Sequence, residues 1–152
     1  MAVSAPTTAN RTPALVAIVS GVVLAVSSFL EWAGVDVAPG FSVSVKGTDG
    51  SDGWITLVCG IVAIAAGGMS WNAGAKGKLP GVLAIIAGVI GAAIGLINYS
   101  DADGYQSFGL YLVILGGVGV LVGGIMLLRS RTDSTTVAPP TDAPPTGGTP
   151  TV

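Results

Sequence analysis

Four long apolar segments, separated by polar connections, follow one another along the chain. They cover residues 14–30, 54–70, 79–98 and 107–128. The third segment, LPGVLAIIAGVIGAAIGLIN, carries no charged residue. A helix of about twenty residues, rising about 1.5 Å per residue, spans the roughly 30 Å hydrocarbon core of a bilayer. The pattern therefore predicts an all-α membrane protein whose four helices cross the bilayer as one bundle.

The first apolar segment has an alternative interpretation as a secretory signal peptide. Thr12-Pro13 indicates a helix start, because Thr suits the N-cap and Pro suits the first helical position. The apolar core of a signal peptide is shorter, about 7–15 residues, and precedes a small-residue cleavage site. No convincing site of that kind follows Leu30. The sequence therefore favours a retained membrane helix.

The connection after the first segment alternates apolar and polar residues, which is the period of a half-buried β-strand. The alternation covers Val35–Val37 and Phe41–Val45, and Pro39-Gly40 suits the central positions of a type II turn. This predicts a small β-hairpin on the outer side of the membrane. A two-stranded hairpin is marginally stable alone, so we expect it to lean on helix ends or lipid headgroups.

Small residues recur at alternating spacings of three and four, which places them in rows along single helix faces. Helices in lipid associate through close backbone approach and dispersion, and small residues permit both. The heptad-like spacing favours left-handed crossings near +20°. The rows face either the other helices or a second copy of the chain, unless they only reflect the abundance of glycine. The predicted packing positions are Gly60, Gly67, Gly81, Gly88, Gly91, Gly95, Gly116 and Gly123.

The row of the first segment is interrupted by Leu24, which follows Ala14, Ala17 and Gly21 at the same spacing. In the fourth segment we expect one row, completed by larger residues at Leu112 and Met126. Its small members are Gly109, Gly116, Gly119 and Gly123.

Charged residues separate to the two ends of the predicted bundle. The basic residues at one end are Arg11, Lys76, Lys78, Arg129 and Arg131. The acidic residues at the other end are Glu31, Asp36, Asp49, Asp52, Asp101 and Asp103, with Lys46 as the basic exception. Short flanks rich in Lys and Arg remain in the cytoplasm. We therefore expect a multi-pass protein of the cell membrane with both termini cytoplasmic.

Aromatic residues cluster near the acidic end of the predicted helices. Such residues favour the boundary between hydrocarbon and water. The residues expected to form this outer aromatic belt are Trp32, Trp54, Tyr99, Tyr105 and Phe108.

Composition narrows the possible functions. Hydrophobic residues make up 51% of the chain and charged residues 9%, whereas a soluble domain carries about 25% charged residues. The net charge of −2 gives no reason to expect a nucleic-acid partner. The chain has no histidine, one cysteine (Cys59) and no ionised residue within the spans. These features argue against a metal site, an enzyme or an ion-coupled transporter, and we expect no cofactor.

Two acidic turns at the outer end have similar sequences. One contains Asp49 and Asp52, and the other contains Asp101 and Asp103. The Asp-x-Asp-Gly pattern resembles the start of a calcium loop, but the bidentate glutamate of an EF-hand is absent. The favoured interpretation is turn and helix-capping chemistry, and a shared cation site is the alternative.

The predicted transmembrane domain, residues 13–131, lies between two polar segments. Residues 1–12 are expected to be a cytoplasmic N-terminal segment. Residues 132–152 are rich in Thr, Pro and Gly and lack aromatic residues, which predicts a disordered cytoplasmic tail. A Thr-Pro site at Thr149 suits phosphorylation, and a purely solvating tail is the favoured interpretation.

Four features in this order resemble a loose class of membrane proteins. They are Ser28-Phe-Leu-Glu-Trp32, a Gly/Ser/Val-rich loop, Asp-Gly-Ser-Asp-Gly-Trp54 and a Gly-rich span. The class consists of small four-span proteins of high-GC Gram-positive bacteria and their phages, and the resemblance covers residues 14–130. It implies a four-span fold and brings no activity or site residues.

The expected function is a non-enzymatic accessory or partner-binding role in the cell membrane. The expected partners are the bilayer and either a second copy or another membrane protein. The alternative is a phage-type holin or superinfection-exclusion protein, since holins also combine few spans with little catalytic chemistry.

Overall fold

The computed structural model describes residues 11–71, 77–102 and 104–132. The predictions for the N-terminal segment up to residue 10, for Lys76, for Asp103 and for the tail from residue 133 lie outside these residues. The described chain is mostly α-helical with one small antiparallel sheet, which confirms the predicted helical class and the hairpin. Its helices are α1 (Thr12–Ser27), α2 (Ser51–Trp71), α3 (Leu79–Asp101) and α4 (Phe108–Thr132).

Three of these helices, α2, α3 and α4, are long and apolar enough to cross a membrane, judged by length and composition. Helix α1 is shorter, with 16 residues, or about 24 Å at 1.5 Å per residue. The predicted first segment continued to residue 30, but the chain leaves the helix after Ser27. The amides of Phe29 and Leu30 donate to carbonyls three residues earlier, Val26 O and Ser27 O, which tightens the last turn.

The helices pack as an antiparallel ring in which each helix contacts its sequence neighbour and α4 closes the ring against α1. The seam between α2 and α3 is the least extensive of the four. Because neighbouring helices are antiparallel, the start of α1, the end of α2, the start of α3 and the end of α4 lie at one end of the bundle.

Helices α3 and α4 approach until their backbones touch. A Cβ added at Gly88 would lie 2.5 Å from Leu121 N, and one added at Gly117 would lie 2.5 Å from Ala92 N. Gly95 lies in the same row, with its nearest neighbour Ile114 2.8 Å from such a Cβ. Only glycine permits this separation, because any larger residue would push one backbone away from the other.

Helix α1 lies between glycines of two other helices. From α2, a Cβ at Gly60 would lie 2.7 Å from Ala25 N, and one at Gly67 would lie 2.9 Å from Ala14 O. From α4, a Cβ at Gly123 would lie 2.9 Å from Ala17 N. The predicted packing glycines of α2 thus face α1, and those at Gly81, Gly88 and Gly95 of α3 face α4.

Leu24 does not interrupt the row of α1, as the spacing had suggested, but occupies the centre of the bundle. Its side chain is fully buried. A Cβ at Gly91 would lie 3.0 Å from Leu24 Cδ2, and one at Gly116 would lie 2.9 Å from Leu24 N. The missing side chains of these two glycines therefore make the space that one large residue fills.

Helix α4 carries two glycine rows, whereas the spacing predicted one. Gly116 and Gly123 face α1, while the adjacent Gly117 and Gly124 face α3. Successive residues are about 100° apart around a helix. In a ring of four helices, the directions from one helix to its two neighbours also differ by about a right angle. Two adjacent glycines of α4 can therefore face α1 and α3 respectively.

The hairpin consists of β1 (Glu31–Ala38) and β2 (Phe41–Lys46). Gly40 has φ of 85°, as the third position of a type II turn requires. The register places apolar residues opposite each other and polar or small residues opposite each other, in alternation. The opposed pairs are Ala33 with Val45, Gly34 with Ser44, Val35 with Val43, Asp36 with Ser42 and Ala38 with Phe41.

The packing predicts opposite effects for the same substitution at two helical glycines. Gly88→Ala places a methyl group against the backbone of α4, and overpacking costs about 1–3 kcal/mol. Gly68→Ala meets nothing within 4 Å and gains helix propensity of up to about 1 kcal/mol. Thermal unfolding in detergent should show a lower midpoint for Gly88→Ala and an equal or higher one for Gly68→Ala. If Gly88→Ala were as stable as the parent, the glycine row of α3 would reflect only the abundance of glycine and not close helix packing.

Candidate functional site

The hairpin is anchored to the acidic end of the bundle by a second pairing that the sequence did not reveal. The other edge of β1 pairs with the connection between α3 and α4. Gly34 N donates to Tyr105 O at 3.2 Å, and Ser107 N donates to Trp32 O at 2.9 Å. The segment around Gln106, which bridges to Ala33, has no strand-like alternation, so only the fold identifies it as a pairing partner.

Trp32 was predicted to belong to the outer aromatic belt, but it is 6% exposed and packs inside. Its Nε1 donates to Ser27 O at 2.8 Å, so it closes the end of α1. Its ring lies against Gly47, at a position where a Cβ would collide with it. The other predicted belt residues are exposed: Trp54, Tyr99, Tyr105 and Phe108. Trp32 therefore has a structural role between hairpin and bundle.

Asp52 joins α2 to α3. Its carboxylate accepts hydrogen bonds from Asn98 Nδ2 at 3.0 Å and from Ser51 Oγ at 3.2 Å. Asn98 also donates to Ile94 O at 3.0 Å, which holds its amide in place. Two helices with a loose seam are thus connected at their acidic ends by one polar contact.

The remaining acidic-turn residues have different surroundings. Asp49 accepts a hydrogen bond from Lys46 N at 2.8 Å and fixes the short 3₁₀ turn Gly47–Asp49. Asp101 is exposed at the end of α3. Asp103 is outside the described residues. Asp49 therefore accepts a hydrogen bond within its own turn, and Asp52 accepts hydrogen bonds from side chains at the ends of α2 and α3.

Between the hairpin base and the ends of α2 and α3 lies a cavity of about 340 Å³. Its polar lining includes Lys46, Asp52, Asn98 and Asp101, and Leu110 contributes an apolar wall. Each acidic turn thus supplies one carboxylate to the same cavity. In the part of the chain that the structure describes, no three His, Cys, Asp or Glu side chains form a group able to hold a metal ion.

The opposite end of the bundle is basic. The guanidinium carbon of Arg11 lies 5.1 Å from the centre of the Trp71 ring, a cation–π contact between the start of α1 and the end of α2. Lys78 and Arg129 are exposed at the same end.

Comparison with known proteins gives this site no family context. No protein-family model, no curated protein and no solved structure matches the chain. The chemistry of the cavity follows from its polar lining residues, which are two aspartates, one asparagine, one serine and one lysine beside apolar walls. Such a lining suits recognition of a small charged group by hydrogen bonds and charge.

The anchoring role of Trp32 predicts a loss of stability that the exposed Trp54 does not share. Trp32→Phe removes the hydrogen bond to Ser27 O, which is worth about 1 kcal/mol. Trp54 is 57% exposed, so Trp54→Phe should change the unfolding midpoint little. Thermal unfolding of both variants in detergent measures the difference. Equal midpoints would contradict the anchoring role.

Proposed function

We propose that the protein is a non-enzymatic integral membrane protein of the cell membrane, in which four helices cross the bilayer. The proposal rests on the size distribution of its apolar residues. Large side chains point outward, with Val19 57%, Ile61 54% and Leu115 66% exposed. The interior is built mainly from glycine and alanine, and Ala17 and Ala63 are fully buried.

This distribution of large and small apolar residues is the reverse of that in water-soluble helical bundles. In a soluble bundle the large apolar residues move inside, and contiguous exposed apolar patches rarely exceed a few hundred Å². In lipid, large side chains outside carry no penalty, and small residues inside allow the backbone contacts that hold helices together. A bilayer is therefore the solvent that suits this surface.

The short α1 is compatible with this proposal. Its length of about 24 Å is several ångströms less than a typical hydrocarbon core of about 30 Å. Shorter helices are accommodated by local thinning of the bilayer and by flanking residues, at a modest cost. The apolar turn after Ser27, in which Phe29 is 55% exposed, extends the apolar surface of this helix.

The charge distribution supports an orientation with both termini in the cytoplasm. Arg11, Lys78 and Arg129 lie at one end of the described bundle, and Asp52 and Asp101 lie at the other. Basic flanks of short loops remain on the cytoplasmic side. The hairpin then lies outside the cell.

The accessory or partner-binding role is supported by the spans and the hairpin together. None of the four apolar segments carries Asp, Glu, Lys or Arg, so they lack the ionised side chains that mark proton relays and ion-coupled transport. Outside the spans, the apolar residues that the hairpin register pairs remain exposed, with Val43 at 54% and Phe41 at 73%. An exposed apolar face is typical of a surface that contacts a partner.

The orientation is tested by single cysteines in a Cys59→Ala background. Ser42→Cys, in the hairpin, should react with a membrane-impermeant maleimide in intact cells. Ser130→Cys, at the basic end, should react only after lysis. Both positions are exposed, so a difference in labelling reports the side of the membrane. Labelling of Ser130→Cys in intact cells would contradict the proposed orientation.

Induced expression separates the accessory role from the holin alternative. An accessory protein should accumulate in the membrane fraction, resist alkaline carbonate extraction and leave the membrane potential intact. Holins perturb the membrane, so a rapid loss of potential at the same expression level would favour that alternative. Gly88→Ala, which should weaken the bundle, serves as a control for effects of misfolded protein.

A further inference from the structure

The α2–α3 seam stays open because neither helix offers glycine to it. The described glycines of α2 that meet another element face α1 or the turn at Gly47, and those of α3 face α4 or Leu24. Without glycine at the contact, the two backbones do not approach as closely as those of α3 and α4. An apolar groove of about 500 Å³ therefore remains along the seam.

The groove has the dimensions of a site for one hydrocarbon chain. Cys59 and Ala87 are buried at its floor, and Val58 and Ile86 are exposed at its sides. Along α2 it extends from Trp54 to Val62, a rise of about 12 Å at 1.5 Å per residue. That is close to the depth of one leaflet, about half of a 30 Å core. Its lining is almost wholly apolar.

Polar groups lie at the acidic end of the same seam. Asp52 precedes Trp54 by two residues on α2, and Asn98 follows Ile90 by two helical turns on α3. Both belong to the 340 Å³ cavity that Lys46 and Asp101 also line. The seam thus presents an apolar groove of one-leaflet depth and, beyond it, a charged cavity at headgroup level.

We infer that this seam binds one phospholipid whose headgroup carries a primary ammonium beside its phosphate. The acyl chain lies in the groove, the ammonium donates to the carboxylates of Asp52 and Asp101, and the phosphate lies near Lys46. The inference rests on the proposed function, because it requires the chain to lie in a bilayer.

The charges of the cavity favour this headgroup over others. Two carboxylates and one ammonium give the lining a net negative charge, which disfavours anionic lipids. A primary ammonium donates hydrogen bonds to carboxylates, whereas a quaternary ammonium has no N–H and is recognised mainly by aromatic cages. Phosphatidylethanolamine is therefore the matching probe, with phosphatidylcholine and phosphatidylglycerol as comparisons.

The groove is tested by filling it. Val58→Trp narrows the groove, and Val122→Trp places the same side chain on the exposed surface of α4, where Val122 is 46% exposed. Native mass spectrometry of detergent-purified protein with added phosphatidylethanolamine should show bound lipid on the parent and on Val122→Trp. Val58→Trp should retain at least tenfold less. Equal retention by the two variants would overturn the site.

The headgroup preference is tested separately. In the parent, phosphatidylethanolamine should bind at least fivefold better than phosphatidylcholine or phosphatidylglycerol. Asp101→Asn, an exposed substitution that removes a carboxylate and no described contact, should reduce this preference. Asp52→Asn should do the same while still accepting from Asn98. Equal binding of the three lipids by the parent would overturn the headgroup assignment, whatever the folding of the variants.

A photoactivatable phosphatidylethanolamine with its reactive group in the acyl chain provides a test on the unaltered protein. Crosslinks should map to the groove residues of α2 and α3, and crosslinks confined to α1 or α4 would contradict the inference. If carbonate extracted the protein from the membrane, both the proposed function and this lipid site would be contradicted. If the protein stayed in the membrane but bound all three lipids equally and crosslinked along every helix, only the lipid site would be contradicted.

Discussion

The contact on which this structure depends is that of one helix backbone with another. Where α4 meets α3, a methyl group added at Gly88 would lie too close to Leu121 N to fit. Dispersion between closely packed atoms falls off steeply with distance, so each added carbon atom along this seam would weaken several neighbouring contacts. In lipid, where apolar burial between helices gains little, this close approach replaces the hydrophobic core.

The same contact explains the position of the large residues. Leu24 is accommodated at the centre because Gly91 and Gly116, on two different helices, both lack side chains there. Trp32 is accommodated beneath the hairpin because Gly47 is a glycine. These two large buried residues thus have partner glycines, whereas many other large apolar residues, such as Leu115, are exposed. Glycine placement therefore makes room for Leu24 and Trp32 inside the structure.

Much of the fold follows from patterns within the sequence, and the rest depends on contacts between distant segments. Apolar length and the three-four spacing locate the helices and their packing faces, and the alternation around Pro39-Gly40 locates the hairpin. Spacing alone cannot show that α4 needs two adjacent rows, since this depends on having two neighbours in a ring. Nor can it show that Trp32 is buried, because its cover, Gly47, lies beyond the hairpin. The acidic turns were found by their composition, but their convergence on one cavity through Asp52 and Asp101 is a property of the fold.

A bundle held by glycine contacts has a consequence for its one loose seam. The glycines of α2 that meet another element face α1 or the turn at Gly47, and those of α3 face α4 or Leu24. Helices α2 and α3 therefore meet through residues other than glycine, including the polar contact of Asp52 with Asn98. A sequence change that added glycines there would close the groove and tighten the bundle. The present residues instead leave apolar surface at Val58 and Ile86 beside a charged cavity. We propose that hydrocarbon fills this groove in a bilayer and that the charges of the neighbouring cavity select the headgroup.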